Sequence, residues 1–185
     1  MSLLALRSPP LKQLSGTLSP ISQIMQAGTH SLGRYLLLAQ TSPKVLTLDR
    51  SAVVTDSLFI PLPNDQQYPQ VNKRLIFRVQ IPPLPFPVDS NTPDNPLNTQ
   101  LTTENITVVQ PELGRLAWKF LTDQLLDSER WQAVTDLGNG KVLYESREVF
   151  RGLGAPLVQT LYEDGLRQGF NAQAEGLRRL LEGCY

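Results

Sequence analysis

Hydrophobic and polar positions alternate most cleanly from residue 73 onward. In Lys73–Ile81 the side chains Leu75, Phe77, Val79 and Ile81 share one face, while Arg74, Ile76, Arg78 and Gln80 take the other. A period of two marks a half-buried strand. A second strand is predicted at Asn105–Gln110, after which Pro111-Glu-Leu-Gly114 turns the chain into a third at Arg115–Leu121, with Leu116, Trp118 and Phe120 on a common face. A fourth begins near Glu129 and runs through Arg130–Thr135. Asn139-Gly140 then signals a hairpin, because both residue types tolerate positive φ. The returning strand, Lys141–Phe150, places Val142, Tyr144, Ser146, Glu148 and Phe150 on one face. Successive strands joined by turns make an antiparallel sheet.

The period changes at Gly152-Leu-Gly-Ala-Pro156. Beyond it Leu157, Val158, Leu161, Tyr162, Leu166, Phe170, Leu177, Leu180 and Leu181 recur at helical spacing, which predicts one amphipathic helix of about 26 residues. Pro156 suits its first turn and Gly183 its stop. Gly165, Gly169, Ala172 and Gly176 lie on one stripe of that helix. Each glycine costs up to about 1 kcal/mol relative to alanine in a helix interior, so the stripe needs compensation. Either the helix packs closely on a curved sheet, or the stripe leaves room for a ligand between helix and sheet.

Prolines punctuate the rest. Pro9, Pro10, Pro20 and Pro43 interrupt every apolar period in residues 1–45, an irregular region in which one or two helical turns are expected around Ser19–Gln26, with Ser19 as cap and Pro20 in the first position. The stretch from Gly28 to Gly33 reads as a glycine turn feeding a strand at Arg34–Ala39. It is not a phosphate loop, because Arg34 and Tyr35 stand where Lys and Ser or Thr would be needed. Six of the 15 prolines fall between Pro82 and Pro96. Each removes a backbone donor, so residues 82–104 read as an extended, proline-rich inserted loop. It is either a semi-rigid connection within the domain or, through residues 82–96, a docking motif for a protein partner.

Composition narrows the chemistry. With 185 residues the chain fits one domain, residues 1–185. Cys184 is the only thiol and His30 the only imidazole, which leaves no Cys/His zinc site, no internal disulfide and no Cys-His nucleophile; no metal or other cofactor is expected. His30 reads as a surface-turn histidine, or as a catalytic imidazole if a carboxylate orients it. Cys184 reads as an exposed thiol. Lys and Arg number 17, matched by 17 Asp and Glu, so no global field favours nucleic acid. Apolar runs such as Tyr35–Ala39 fall short of the roughly 18 residues of a membrane span, and the start lacks a secretory layout. A cytoplasmic location is expected.

Read in order, several segments resemble the START-like (SRPBCC) superfamily, which includes polyketide cyclases and plant pathogenesis proteins of the Bet v 1 type. They are Gly114-Arg-Leu-Ala-Trp118, Leu125-Leu-Asp-Ser-Glu-Arg130, the Asn139-Gly140 hairpin, Tyr144-Glu-Ser-Arg-Glu-Val-Phe-Arg-Gly152, Gly169-Phe170 and Glu175-Gly-Leu177. Upstream, Gln67-Tyr-Pro-Gln-Val-Asn72 resembles a Tyr-Pro-x-Trp-Asn segment, with Val71 where tryptophan is usual. Pro61 and Pro63 stand where two short helices would run. The resemblance implies an α+β helix-grip fold, a curved antiparallel sheet wrapped around a long C-terminal helix, enclosing an apolar cavity. It implies binding or transport of a hydrophobic small molecule or lipid. The alternatives are a cyclase or dehydratase acting on a polyketide-like substrate, and an assembly or interaction protein that uses the fold as a docking surface.

The residues suggest where such chemistry would sit. Tyr144 and Glu148 share a face with Val142 and Phe150, so Tyr144 could donate to a ligand carbonyl and a buried Glu148 could act as general acid or base. The ordinary alternative has Tyr144 packing as a cross-strand aromatic and Glu148 pairing with Arg147 or Arg151. The candidate ligand-binding residues are Phe77, Trp118, Trp131, Tyr144, Phe150, Leu166 and Phe170, large groups that can line a pocket or fill a core.

Overall fold

The computed structural model describes residues 15–17, 21–26, 49–88, 91–121, 125–138 and 140–182. Its alternating segments become strands β1 (Ser15–Thr17), β2 (Ile21–Gln26), β3 (Asp49–Thr55), β4 (Arg74–Gln80), β5 (Thr99–Gln110), β6 (Arg115–Phe120), β7 (Asp127–Gly138) and β8 (Lys141–Arg151). They form one antiparallel sheet in the order β1-β8-β7-β6-β5-β4-β3, with β2 also paired to β8. Register shifts interrupt the β3–β4, β5–β6 and β7–β8 pairs, and such irregularities bend strands and increase their twist. The sheet curves around one long C-terminal helix, α1 (Ala155–Glu182). The antiparallel order expected from the periodicities and the helix-grip arrangement implied by the resemblance are therefore observed. No helix among the described residues is long and apolar enough to cross a membrane.

The predicted faces of β4, β6 and β8 hold, whereas Leu157, Leu161 and Tyr162 of the helix's apolar set are exposed. Leu75, Phe77 and Val79 of β4, Leu116 and Trp118 of β6, and Val142, Tyr144 and Phe150 of β8 are all buried. Ala174 and Leu177 of α1 pack into one cluster with most of these side chains, while Phe170 packs with Phe150 and Ala155 in a second. Burial of each large apolar group is worth roughly 1.5–3 kcal/mol, so these contacts hold the helix against the sheet. At the β8–α1 turn, Gly152 has a φ of 94° and a Cβ there would lie 2.7 Å from the Leu125 carbonyl oxygen. Only glycine fits that backbone.

Two expectations are corrected. The helical turns expected around Ser19–Gln26 are absent, because Ile21–Gln26 is β2, paired residue for residue with Ser146–Lys141. The N-terminal region is therefore not wholly irregular. The open edge of β8 satisfies every second backbone group of a short segment, which an isolated turn or two of helix cannot match. The inserted loop does not reach residue 104, because Thr99–Asn105 already pairs with Gln80–Arg74. The last proline is Pro96, so from Thr99 onward no donor is missing from the ladder. The Gly28–Gly33 turn, the strand expected at 34–39, His30 and Cys184 lie outside the described residues.

The loop is tied down. Arg78 pairs with Asp94 at 3.1 Å, the Gln80 amide donates to the Thr99 hydroxyl at 2.5 Å, and the Asn95 backbone N–H donates to Gln80 Oε1 at 3.3 Å. Val88 is buried, and the Arg179 guanidinium of α1 lies 4.7 Å from the Phe86 ring centre. The loop thus packs partly against the helix.

Candidate functional site

Strand alternation puts Ser128, Arg130, Gln132 and Val134 of β7 on the inner face, and all four are buried. Arg130 keeps only 8% of its surface exposed, so its charge requires partners from the interior. The Gln173 side chain of α1 supplies one, its Oε1 accepting from Arg130 Nη2 at 2.6 Å, Gln132 Nε2 at 3.2 Å and the Tyr144 hydroxyl at 3.2 Å. One helix side chain thereby joins two strands. The guanidinium also lies 4.1 Å from the Phe170 ring centre and 5.6 Å from that of Trp118, within cation–π range.

Beside this hub is a cavity of about 70 Å³. Phe77, Trp118 and Leu166 wall it, and Glu104 of β5, Arg130 of β7 and Glu148 of β8 reach it from three strands. Arg130 and Glu148 are direct cross-strand neighbours, and Glu148 Oε1 accepts from the Ser128 hydroxyl at 2.8 Å. Phe77 and Trp118 pack on each other, centres 5.7 Å apart. A cation, two carboxylates and two aromatic rings therefore share one small interior space. Such a set can orient a polar group by charge-assisted hydrogen bonds while the rings take an apolar body.

Of the residues expected to bind ligand, Phe77, Trp118 and Leu166 line this cavity, whereas Tyr144, Phe150 and Phe170 are packed in the core beside it. Trp131 does not reach this cavity, since it lies on the outer face of β7 with the Arg147 guanidinium 5.9 Å from its ring centre. The phase of β7 is set by Arg130 and Gln132 facing inward, so Trp131 between them must face out. Of the catalytic candidates, Glu148 lines the cavity, whereas the Tyr144 hydroxyl is engaged by Gln173. Arg147 and Arg151, the alternative partners for Glu148, lie elsewhere, over Trp131 and against Asp127 at 3.4 Å. Sequence reasoning missed Glu104, Arg130, Gln132 and Gln173. For Arg130 and Gln132 the signal was the spacing of two from Val134; for Gln173 it was a polar residue on the apolar stripe, three past Phe170.

No family model matches the sequence, and no curated protein matches it. Solved structures do match by shape. Norcoclaurine synthase from Thalictrum flavum, in complex with dopamine and hydroxybenzaldehyde, aligns with a TM-score of 0.58 at 12% identity over 100% of this chain and 99% of its own. The major latex-like protein 151 of Panax ginseng gives 0.58 at 10% identity over 91% and 98%. A START superfamily protein from Mycobacterium smegmatis gives 0.58 at 11% over 92% and 100%. The chain has the START-like, helix-grip fold of these proteins.

Proposed function

We propose that the protein binds a small molecule with an apolar body and a polar end between the sheet and α1. The observation that carries this reading is the convergence of Glu104, Arg130 and Glu148 on a cavity walled by Phe77 and Trp118. Charges buried under a helix are costly relative to hydrophobic packing, so their presence beside Phe77, Val79 and Trp118 favours a binding role. Proteins of the same shape include a synthase solved with two small aromatic molecules. Phe77 and Trp118 take the body of the ligand, and Arg130 with the two carboxylates takes its oxygen or nitrogen groups. Catalysis of the cyclase or dehydratase kind would fall to Glu148 as acid or base.

Mass spectrometry of the organic extract of the purified protein tests this directly. A stoichiometric compound absent from a mock purification, and lost from the Glu148→Gln and Trp118→Leu variants, is the expected result. A clean blank from folded protein sinks the reading. A second reading, an assembly or interaction protein that keeps the fold, is favoured by one observation. The cavity of about 70 Å³ is far below the roughly 300–1,000 Å³ of ordinary small-molecule sites. A blank extract together with a partner bound through the loop at 82–96 would support it.

A further inference from the structure

A larger, open pocket lies on the other side of the sheet. It measures about 400 Å³ and is lined by Arg115 of β6, Trp131 and Ala133 of β7, and Glu145 and Arg147 of β8. Its shape follows from register. Arg115, Ala133 and Glu145 form one cross-strand row, and Ala117, Trp131 and Arg147 the next. In the first row a methyl group sits between two long charged side chains, which leaves a hollow; in the second the indole of Trp131 rises beside it. The backbone at Gln132 and Ser146, whose side chains turn inward by strand alternation, completes the floor.

The charges around this hollow are unspent. Among the described residues Arg115, Arg147 and Glu145 take part in no ion pair, and the Arg147 guanidinium lies 5.9 Å from the centre of the Trp131 ring. This contrasts with the far end of the same outer face, where Lys119 and Arg151 both reach Asp127 at 3.4 Å. Two guanidinium groups and an indole face match a flat ring carrying a carboxylate, with the carboxylate held by the arginines and the ring stacked on the tryptophan. Glu145 accepts from a hydroxyl or amino group elsewhere on the ring. We propose that this outer pocket is a binding site for an aromatic carboxylate bearing a hydrogen-bond donor. It is independent of the interior cavity.

The chain has two tryptophans, Trp118 in the interior and Trp131 in the outer pocket, and their indole N–H signals in a nitrogen-15 NMR spectrum report the two sites separately. The probe is 4-aminobenzoate, with the signals assigned by Trp131→Phe. The expected result is a saturable shift of the Trp131 signal with Trp118 unmoved. Binding should weaken roughly tenfold or more in the folded Arg115→Gln/Arg147→Gln double variant and with aniline, which lacks the carboxylate. No saturable shift, equal movement of both indoles, undiminished affinity in the double variant or equal binding of aniline overturns the proposal. So does a Trp131 response to polyglutamate but not to 4-aminobenzoate, which would assign the surface to an acidic peptide. Apart from equal movement of both indoles, these outcomes leave the reading of the interior cavity unchanged.

Discussion

Gly165 shows that a glycine inside a helix can be the better residue. A Cβ built there would lie 2.7 Å from Cγ2 of Ile81, the residue that leads from β4 into the proline loop, so packing compensates the helix cost at this position of the stripe. Alanine would gain up to about 1 kcal/mol of helix propensity but add an overpacking strain of about 1–3 kcal/mol. Gly165→Ala is therefore expected to destabilise, and the sign should reverse in an Ile81→Ala background, where the clash is gone. Urea midpoints of the four members of that cycle measure the coupling; a stabilising Gly165→Ala in the native background would show that the loop yields freely. Gln173 is the opposite case, a polar residue where an apolar one would be expected. Its Oε1 serves three donors, so Gln173→Ala leaves Arg130, Gln132 and Tyr144 short of an acceptor. The expected cost is about 2–4 kcal/mol by chemical denaturation, against about 1 kcal/mol for Tyr144→Phe, which removes one donor only.

At the scale of elements, the proline loop is held by side chains of the strand it leaves. Gln80 is fully buried and bridges Thr99 and Asn95, and the Ile81 N–H donates to the Asn98 carbonyl at 3.0 Å. Gln80→Ala should raise amide hydrogen exchange at Ile81 and Asn95–Asn98 by an order of magnitude or more while leaving β7 and β8 protected, because a lost pair of buried hydrogen bonds costs about 1–3 kcal/mol locally. Unchanged exchange there would mean that Phe86 and Val88, packed from the other side, hold the loop alone. β4, β6, β8 and α1 were legible in the sequence because each pairs an apolar face with a polar one. The first half of β5 was not, since Thr99-Gln-Leu-Thr-Thr-Glu104 has polar residues at its inward positions. β2 was hidden for a different reason: its strand state comes from the edge of β8, a partner some 120 residues away by sequence number. The inserted loop announced itself through its prolines, but its length did not, because only pairing shows where a ladder resumes.

For the whole molecule, the same inward polar positions that obscured the sequence pattern divide stability from function. If Glu104, Arg130 and Glu148 are kept for binding, they should be dispensable for folding when removed together. Taking away Arg130 alone strands two carboxylates in a space of about 70 Å³, and losing one partner of a buried charged set typically costs about 3–5 kcal/mol. Replacing all three by Glu104→Gln, Arg130→Met and Glu148→Gln removes the desolvation cost with the charges, keeps the volume, and leaves Gln173 with the Gln132 and Tyr144 donors. Such exchanges are often neutral or stabilising by about 1–4 kcal/mol. The triple variant is thus expected to melt at or above the parent temperature, whereas Arg130→Met melts well below it. A ligand recovered from the parent should be missing from the triple variant. Its binding would add stability only to the parent, by mass action, so thermal melts should be compared after ligand has been stripped. A triple variant less stable than Arg130→Met would show that the charges hold the helix to the sheet, and the binding role would then need the extract alone to support it.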